Sequence, residues 1–412
     1  MRSVEEQLAI ISAAAVTPEP VRISISEALG LRCAEQIEGD RAVPGFNQAA
    51  IDGYAVRAVD VREPADGELP TLPVVGEVTA GSSRPVRLQP RQTVRVHAGA
   101  PIPTLADAVL PLDWVEVEGR HVEPLRTVNS GEFVHRLGSD VQPGDVVVEQ
   151  GAVLGAAQVG LLAAIGRSKV LVYPRPRLSV LAFGPELVDI DRDPGLGQVH
   201  DANSYALAAA AKEAGAEAHR MGILAGEPRR IREVLEAQLM RSEVLVITGA
   251  IGGEGSDQLR AILGELGPME TTRIAMHPGS ILGFGTLGAD QVPTFLLPAN
   301  PSAALVAFEV LVRPLIQIIR GQRQATRRVV RARTIAAIDS APRRRGFIRG
   351  QLMRDRETRE FLVDPLGAVG GGEPTHLLGS YGQANCLITV PAEETHVAPG
   401  QFVDVLFLTN RS

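Results

Sequence analysis

The sequence predicts a multidomain protein in which an α/β domain is combined with β-rich domains. The chain has 412 residues, of which 45% are apolar and 22% charged, which is typical of globular proteins with more than one hydrophobic core. Residues 177–320 alternate apolar strand segments with helical segments of about ten residues. Residues 43–141, and the segment beyond 349, instead contain short β-branched runs between prolines and glycines.

The α/β segment begins with an apolar strand at 178–183, which leads into Gly184 and Pro185. Asn203 is expected to cap the helix that follows. Helices are then expected at 204–213, 228–240 and 258–266, and strands at 217–224, 244–248 and 294–297. This alternation predicts parallel pairing through right-handed crossovers, and hence a doubly wound α/β sheet. Ligands of such sheets bind beyond the carboxyl ends of the strands.

The other segments are expected to be helical at the N-terminus and β-rich elsewhere. Residues 1–35 have apolar residues at helix spacing, with Gly30 closing a second short helix. Residues 43–141 predict an inserted β-rich domain, with strands at 72–78, 92–97 and 107–110. Ten arginines and one acid between 320 and 349 indicate a linker, which a small C-terminal β domain follows.

The charge and the lysine count exclude two classes of function. The net charge is −7, and the arginine-rich stretch has no interleaved aromatic residues, so nucleic-acid binding is not expected. Lys169 and Lys212 are the only lysines of the sequence, and neither follows a glycine. A P-loop requires a Gly-Lys pair, so ATPase chemistry of that type is excluded.

The cysteines and the N-terminus indicate a cytoplasmic protein. Cys33 and Cys386 do not occur in a Cys-x-x-Cys motif, which argues against a disulfide framework or structural zinc. Glu5 and Glu6 precede the first apolar run, unlike the basic start of a signal peptide. No apolar run is expected to reach the roughly 20 residues of a membrane span. We therefore expect no contact with a membrane.

A glycine loop at 247–257, with the sequence ITGAIGGEGSD, lies between a predicted buried strand and a helix. Its glycines Gly249, Gly252, Gly253 and Gly255 would allow backbone N–H groups to approach a phosphate closely. The alternative is a glycine-tolerant surface turn. Asp257 favours the phosphate site, because a carboxylate beside a phosphate is repulsive unless a cation such as Mg²⁺ bridges them.

Four other acids occur in turns. Glu186 follows the first strand, where a solvated turn is the alternative, and Asp201 precedes a helix, where capping is the alternative. Close carboxylates at one sheet edge would repel by up to about 4 kcal/mol per pair, so they would have to lie apart or share a metal. Taken alone, Asp52 and Asp140 are each better explained as structural residues of a turn or a loop than as functional residues.

His277 and the arginines between 320 and 349 could each bind a ligand, but each also has a structural explanation. His277 is a lone histidine at a turn, with no histidine or cysteine near it in the sequence, which disfavours a metal site. The arginines between 320 and 349 are typical of a solvated interdomain face, with an anion site as the alternative.

Nine motifs occur in a fixed order along the chain. They are PGFNQAAIDGYAVR at 44–57, HAGAPIP at 97–103, RLGSD at 136–140, GPEL at 184–187, DAN at 201–203, the loop ending at Asp257, HPGS at 277–280, LPANPSA at 297–303, and FIRG with SYGQANC at 347–350 and 380–386. In this order they resemble the molybdopterin molybdenumtransferase family, which includes bacterial MoeA and the gephyrin E domain. The resemblance covers essentially the whole chain.

The resemblance implies an elongated four-domain subunit that forms a homodimer, with an active-site cleft lined by the α/β domain and by β domains of the partner. The implied domains are an α/β molybdopterin-binding domain at 1–24 and 173–325, a linking α/β domain at 25–42 and 142–172, the inserted domain at 43–141 and the C-terminal β domain at 326–412. The implied reaction transfers molybdenum from molybdate to adenylylated molybdopterin and releases AMP, with help from Mg²⁺. The adenylyltransferase that makes this substrate is a candidate partner.

The resemblance also assigns roles to individual residues. The implied catalytic acids are Asp52, Asp140, Glu186, Asp201 and Asp257, and the implied metal ligands are Glu186, Asp201 and Asp257. Substrate binding is assigned to the four loop glycines and to Arg273, His277, Pro298, Pro301, Arg349 and Ser380.

Some motifs depart from the family pattern. The family's usual MTGAP is HAGAP here, which places His97 and Ala98 in the motif, and KPGKP is replaced by HPGSI. His277 and Ser280 therefore stand where two lysines are expected, so Arg273 and Arg349 become candidate anion contacts. These departures leave an alternative function: a catalytically weakened paralogue that serves as a pterin-nucleotide binding or assembly platform.

Overall fold

A computed structural model describes residues 1–62, 69–84, 86–253, 255–322, 324–366 and 378–408. The chain forms two compact units, one of Met1–Glu19 with Tyr173–Ser412 and one of Pro20–Val172. The four predicted domains are a finer division than these two units, and their boundaries stay a prediction.

The first unit is built on a six-stranded sheet. In spatial order the strands are Glu217–Ile223, Arg177–Ala182, Val244–Thr248, Val292–Leu297, Ile281–Leu287 and Met269–Arg273. The first four strands are parallel, and the last two are antiparallel to their neighbours. The parallel part confirms the predicted α/β domain. The antiparallel pair corrects the expectation of a purely parallel sheet.

Helices cover both faces of this sheet. The helices are Val4–Ala13, Asn203–Glu213, Pro228–Leu239, Ser256–Leu266 and the continuous segment Pro301–Ile319, whose middle turn, Phe308–Val312, is a π-helix. Alternate strand residues point to opposite faces, so Val180 and Val246 pack with the helix residue Leu207, whereas Leu181 packs on the other face with Leu235. The sheet is therefore buried on both sides.

The helix Pro301–Ile319 is long and apolar enough to cross a membrane, and it is the one such helix in the described part of the chain. The expectation that no apolar run approaches this length was wrong. The charged residues of this helix are Glu309 and Arg313. In the structure these two side chains lie 3.8 Å apart as an ion pair. Since 83% of its most apolar window is buried inside the fold, the segment has the character of a core helix.

The C-terminal part of the first unit is a closed five-stranded barrel. Its strands, in spatial order, are Arg345–Arg354, Phe361–Pro365, Val329–Thr334, Phe402–Phe407 and Cys386–Val390, and the last pairs with the first. The short strand Met276–His277 pairs with the start of the strand Arg345–Arg354. Ile338–Asp339 pairs with His396–Val397, and Leu378–Gln383 is helical. The strand Val329–Thr334 lies within the predicted linker, so the linker is shorter than the arginine content indicated.

The second unit contains two sheet regions. One combines the strands Val21–Ser24, Lys169–Tyr173 and Arg32–Cys33 with the pair Ile37–Glu38 and Val146–Val148 and the helix Ala156–Ala164. The other is a six-stranded sheet in the order Ala108–Pro111, Gly53–Val56, Thr93–Val96, Leu72–Val78, His121–Pro124 and Val115–Glu118, beside the pair Gln48–Ala49 and Val134–His135. This second region confirms the inserted β-rich domain.

The N-terminal 35 residues are less helical than expected. The helix ends at Ala13, the strand Val21–Ser24 follows, and Ile25–Glu27 is a single 3-10 turn. Pro18 and Pro20 explain the difference, because proline and the residue before it disfavour helix.

Candidate functional site

The predicted residues of the α/β domain surround the carboxyl ends of three neighbouring parallel strands. Arg177–Ala182 leads to Glu186, Val244–Thr248 to the glycine loop, and Val292–Leu297 to the turn at Pro298. This arrangement is the carboxyl edge at which such sheets bind ligands.

Asn203 connects two of these strand ends. Its Nδ2 donates to Thr248 Oγ1 over 2.9 Å and to the Ala299 carbonyl over 2.7 Å, while Thr248 Oγ1 donates to the Pro298 carbonyl over 3.0 Å. The side chain is 9% exposed, and its Oδ1 lacks a protein hydrogen-bond partner. Asn203 was expected to be a helix cap, but it is the first helical residue, and it holds the glycine loop and the 298–301 turn together.

The side chain of Asp201, one residue before the N-cap Ala202, makes the capping hydrogen bonds instead. Its Oδ1 accepts from the Ser204 N–H over 3.0 Å, and its Oδ2 accepts from the Ser204 hydroxyl. The side chain is fully buried, with Arg220 Nη1 at 3.8 Å from Oδ2. The capping alternative for Asp201 is therefore what the structure shows, and both carboxylate oxygens already have partners within the protein.

Arg220 was not identified from the sequence. From the edge strand Glu217–Ile223 it donates to Asp189 over 3.0 Å, and its guanidinium lies 4.0 Å from the ring centroid of Tyr205. Tyr205 also donates to Asp189 over 3.0 Å. The Ile190 N–H, Arg220 and Tyr205 together hold the pKa of Asp189 below its usual range. Arg220 thus places a positive charge beside both Asp189 and Asp201. These residues are far apart in the sequence and follow no regular spacing, so a sequence pattern could not show the contact.

The glycine loop has one position where glycine is required by close contact. Gly249 has φ +91°, and a Cβ there would lie 2.0 Å from the Phe183 carbonyl oxygen. Gly253 and Gly255 also have positive φ, whereas Gly252 has open space around it. Close backbone approach is therefore possible at the described glycines, and the phosphate role of the loop stays a prediction.

Asp257 lies in the first turn of the helix that follows this loop, with its side chain 93% exposed. It forms an ion pair with Arg260, which also donates to the Ile251 carbonyl over 2.8 Å. The cation beside Asp257 in this structure is therefore an arginine of its own helix.

Glu186 is partly exposed, and its carbonyl accepts from the Val199 N–H over 2.9 Å. Within the described residues, no group of three His, Cys, Asp or Glu side chains is placed to hold a metal ion. Glu186, Asp201 and Asp257 are thus not gathered into a ready set of ligands. Mg²⁺ is commonly held by one or two carboxylates together with substrate phosphates, so a preformed cluster is not a requirement.

His277 is half-buried, in the short strand Met276–His277 that pairs with Arg345 and Gly346 of the barrel. Burial lowers the pKa of His277, and the nearby Arg344 lowers it further. Both effects favour the neutral form of the ring. Arg273 is exposed in the edge strand Met269–Arg273, and its carbonyl accepts from the Arg2 N–H over 2.9 Å.

Arg349 links the barrel to the carboxyl edge. It is 7% exposed and donates to Ser302 Oγ over 3.4 Å. Ser302 lies in the first turn of the helix that begins at Pro301, which Asn300 caps by accepting from the Ala303 N–H. The side chain of Ser380 lies outside the described part of the chain.

Asp52 and Asp140 both belong to the second unit. Asp52 is exposed, and its Oδ1 accepts from the Ala98 N–H over 2.7 Å. Asp140 is exposed too, with its N–H donating to the Val43 carbonyl over 3.0 Å. Both lie in loops at strand ends, and their catalytic roles stay predictions.

Three family models match consecutive parts of the chain. They are the MoeA N-terminal region (domain I and II) at residues 2–166, the probable molybdopterin binding domain at 179–318 and the MoeA C-terminal region (domain IV) at 331–408. A Mycobacterium tuberculosis protein named molybdopterin molybdenumtransferase 1 is 56% identical, over 99% of both chains. The chain belongs to the MoeA family.

More distant relatives agree with this assignment. A Nostoc protein named molybdopterin molybdenumtransferase is 33% identical, over 89% of this chain and 83% of that protein. The solved structure of a molybdopterin biosynthesis MoeA protein from Pyrococcus horikosii matches 99% of both chains, with a TM-score of 0.80 and 28% identity. The fold class predicted from sequence is confirmed by these matches.

Proposed function

We propose that this MoeA-family chain is a molybdopterin molybdenumtransferase of molybdenum cofactor biosynthesis. The observation that carries the proposal is the 56% identity, over 99% of both chains, to a relative of that name. The platform alternative is not favoured, because the identity to a relative named as the enzyme extends over the full length of both chains. His97 and His277 differ from the usual family motifs, but the chain that contains them matches the enzyme across its full length.

The proposed reaction transfers molybdenum from molybdate to adenylylated molybdopterin and releases AMP. The carboxyl edge supports this proposal, because the backbone amides of the glycine loop can receive a phosphate there. Asp257 lies at the end of the loop with an exposed carboxylate. Arg349 supplies a buried positive charge near the turn at Pro301, where an oxyanion would be stabilised.

The Mg²⁺ requirement is part of the proposal, with Asp257 and Glu186 as the carboxylates that can reach a metal held by substrate phosphates. Asp201 is less suited, because its carboxylate is buried and bound to Ser204. We also propose that the protein is a cytoplasmic homodimer and that it contacts the adenylyltransferase that makes its substrate.

Complementation of a strain that lacks its own molybdenumtransferase tests the function. We expect the wild-type chain to restore the activity of molybdenum enzymes. AMP release from adenylylated molybdopterin should depend on both molybdate and the purified protein. A folded protein that neither complements nor releases AMP would support the platform alternative, and light scattering at micromolar concentration would test the dimer separately.

A further inference from the structure

A histidine lies between two carboxylates at one end of the inserted six-stranded sheet. Asp52 immediately precedes the strand Gly53–Val56, His97 follows its neighbour Thr93–Val96, and Glu77 lies near the end of the next strand. The sheet therefore brings together three ionisable side chains that are distant in sequence.

The distances define how the ring is held. His97 Nε2 lies 2.8 Å from Glu77 Oε1, which is a hydrogen bond, and Nδ1 lies 3.8 Å from Asp52 Oδ1, which is an ion-pair distance. The His97 N–H donates to the Val78 carbonyl over 3.2 Å, and the Ala98 N–H donates to Asp52 over 2.7 Å. Backbone and side-chain contacts thus both fix the ring beside Asp52.

The charge of the His97 ring decides whether Nδ1 presents a lone pair or an N–H to the Asp52 carboxylate. A neutral ring that donates Nε2–H to Glu77 presents the Nδ1 lone pair to the Asp52 carboxylate, which is unfavourable. A protonated ring has an N–H for each carboxylate. Arg95 is a further charged group beside Glu77, with its Nε 3.8 Å from Glu77 Oε1. The hydrogen bond from His97 also lowers the pKa of Glu77, so Glu77 stays ionised as the anchor.

We propose that His97 is a positioning residue for Asp52: the ring, anchored on Glu77, orients the Asp52 carboxylate against the Ala98 N–H when both ring nitrogens carry protons. The effect on turnover rests on the proposed function, whereas the state of the ring does not.

Nitrogen NMR of the histidine rings in the full chain tests the arrangement directly. In the wild-type protein, we expect both ring nitrogens of His97 to carry protons at the acidic end of a titration from pH 5.5 to 8.5. The midpoint should fall by about half a pH unit or more in both Glu77→Gln and Asp52→Asn, because each variant removes a negative neighbour. An unchanged midpoint in both variants would overturn the proposal.

The pH profile of AMP release tests the consequence. His97→Gln should lower kcat at pH 6.5 by about threefold, the scale of one exposed ion pair, with a smaller effect at pH 8.5. His97→Lys should recover most of this loss and flatten the profile, because lysine stays charged across the range. His121→Gln, at an exposed position in the same sheet, is the matched control and should leave the profile unchanged.

A wild-type profile in His97→Gln would overturn the proposal as well. If the wild-type chain released no AMP, the proposed function would fail, while the ring titration would still decide whether His97 is held between Glu77 and Asp52.

Discussion

Asp201 and Asp257 are two acids in similar positions with opposite environments. Each lies at the start of a helix beyond the carboxyl end of a parallel strand, but the side chain of Asp201 is 0% exposed and that of Asp257 is 93% exposed. Asp201 binds Ser204 and faces Arg220, whereas Asp257 contacts Arg260 of its own helix. Two acids at equivalent positions in the fold can therefore differ in function, because burial decides whether the carboxylate is still accessible to a cation or a substrate.

Asp201→Ala should give the largest effect on stability. The substitution removes the hydrogen bonds that cap the helix, and it leaves Arg220 with Asp189 but without Asp201 beside it. We expect the free energy of unfolding to fall by about 3 kcal/mol. Urea denaturation measures this. Asp257→Ala is the matched variant and should leave the urea midpoint unchanged, and an equal loss in both variants would contradict the difference in their roles.

Asp257→Asn should act on turnover instead. If Asp257 holds a cation beside the phosphate, AMP release should fall by ~10²-fold, because metal stabilisation of phosphoryl charge contributes several kcal/mol. Asp290→Asn changes another exposed acid of the same domain and is the control. Unchanged AMP release in Asp257→Asn would remove this acid from the reaction.

Gly249→Ala should be destabilising because the left-handed backbone and the Phe183 carbonyl leave no room for a Cβ. We expect a loss of about 2 kcal/mol, whereas Gly252→Ala, with open space around it, should be close to neutral. Thermal unfolding of the two variants compares them. Similar transitions would mean that the start of the loop can move away from Phe183.

His277→Lys should give the smallest effect, on molybdate binding. Burial and Arg344 lower the pKa of His277, so its charge appears only as the pH falls below the ordinary value of about 6.5. Wild-type binding should therefore strengthen at the acidic end of a range from pH 8 to about 5.5. Lysine should flatten this dependence and tighten binding at pH 8 by ~1 to 2 kcal/mol.

Calorimetric titration at the two pH values checks the prediction. Equal affinities for both proteins at both pH values would leave Arg273 and Arg349 as the anion contacts.

The parallel core was predictable from sequence because its central strand begins with four consecutive apolar residues, and this strand, Val244–Thr248, was located without error. The strand Ile281–Leu287 was missed because Gly283 and Gly285 are more typical of loops. In the structure both glycines permit close packing, since a Cβ on Gly285 would lie 2.0 Å from the Pro268 carbonyl oxygen.

The environment of the site was less predictable than its location. The motifs located Asp201, but the choice between cap and ligand depends on Arg220, which comes from a strand that follows the helix. The expected cap, Asn203, is two residues further along and hydrogen-bonds across the sheet. Tertiary contacts of this kind have no local spacing that a sequence pattern could show.

The apolar helix Pro301–Ile319 also constrains how the protein is made. Until it is covered, it is a 19-residue segment that a ribosome-associated targeting factor could treat as a membrane anchor. Its buried residues, such as Val306 and Leu311, pack in the same cluster as Val180 and Val246, which belong to strands synthesised earlier. Folding during synthesis can therefore offer this segment a surface as it emerges, which keeps the nascent chain from aggregation or misdelivery.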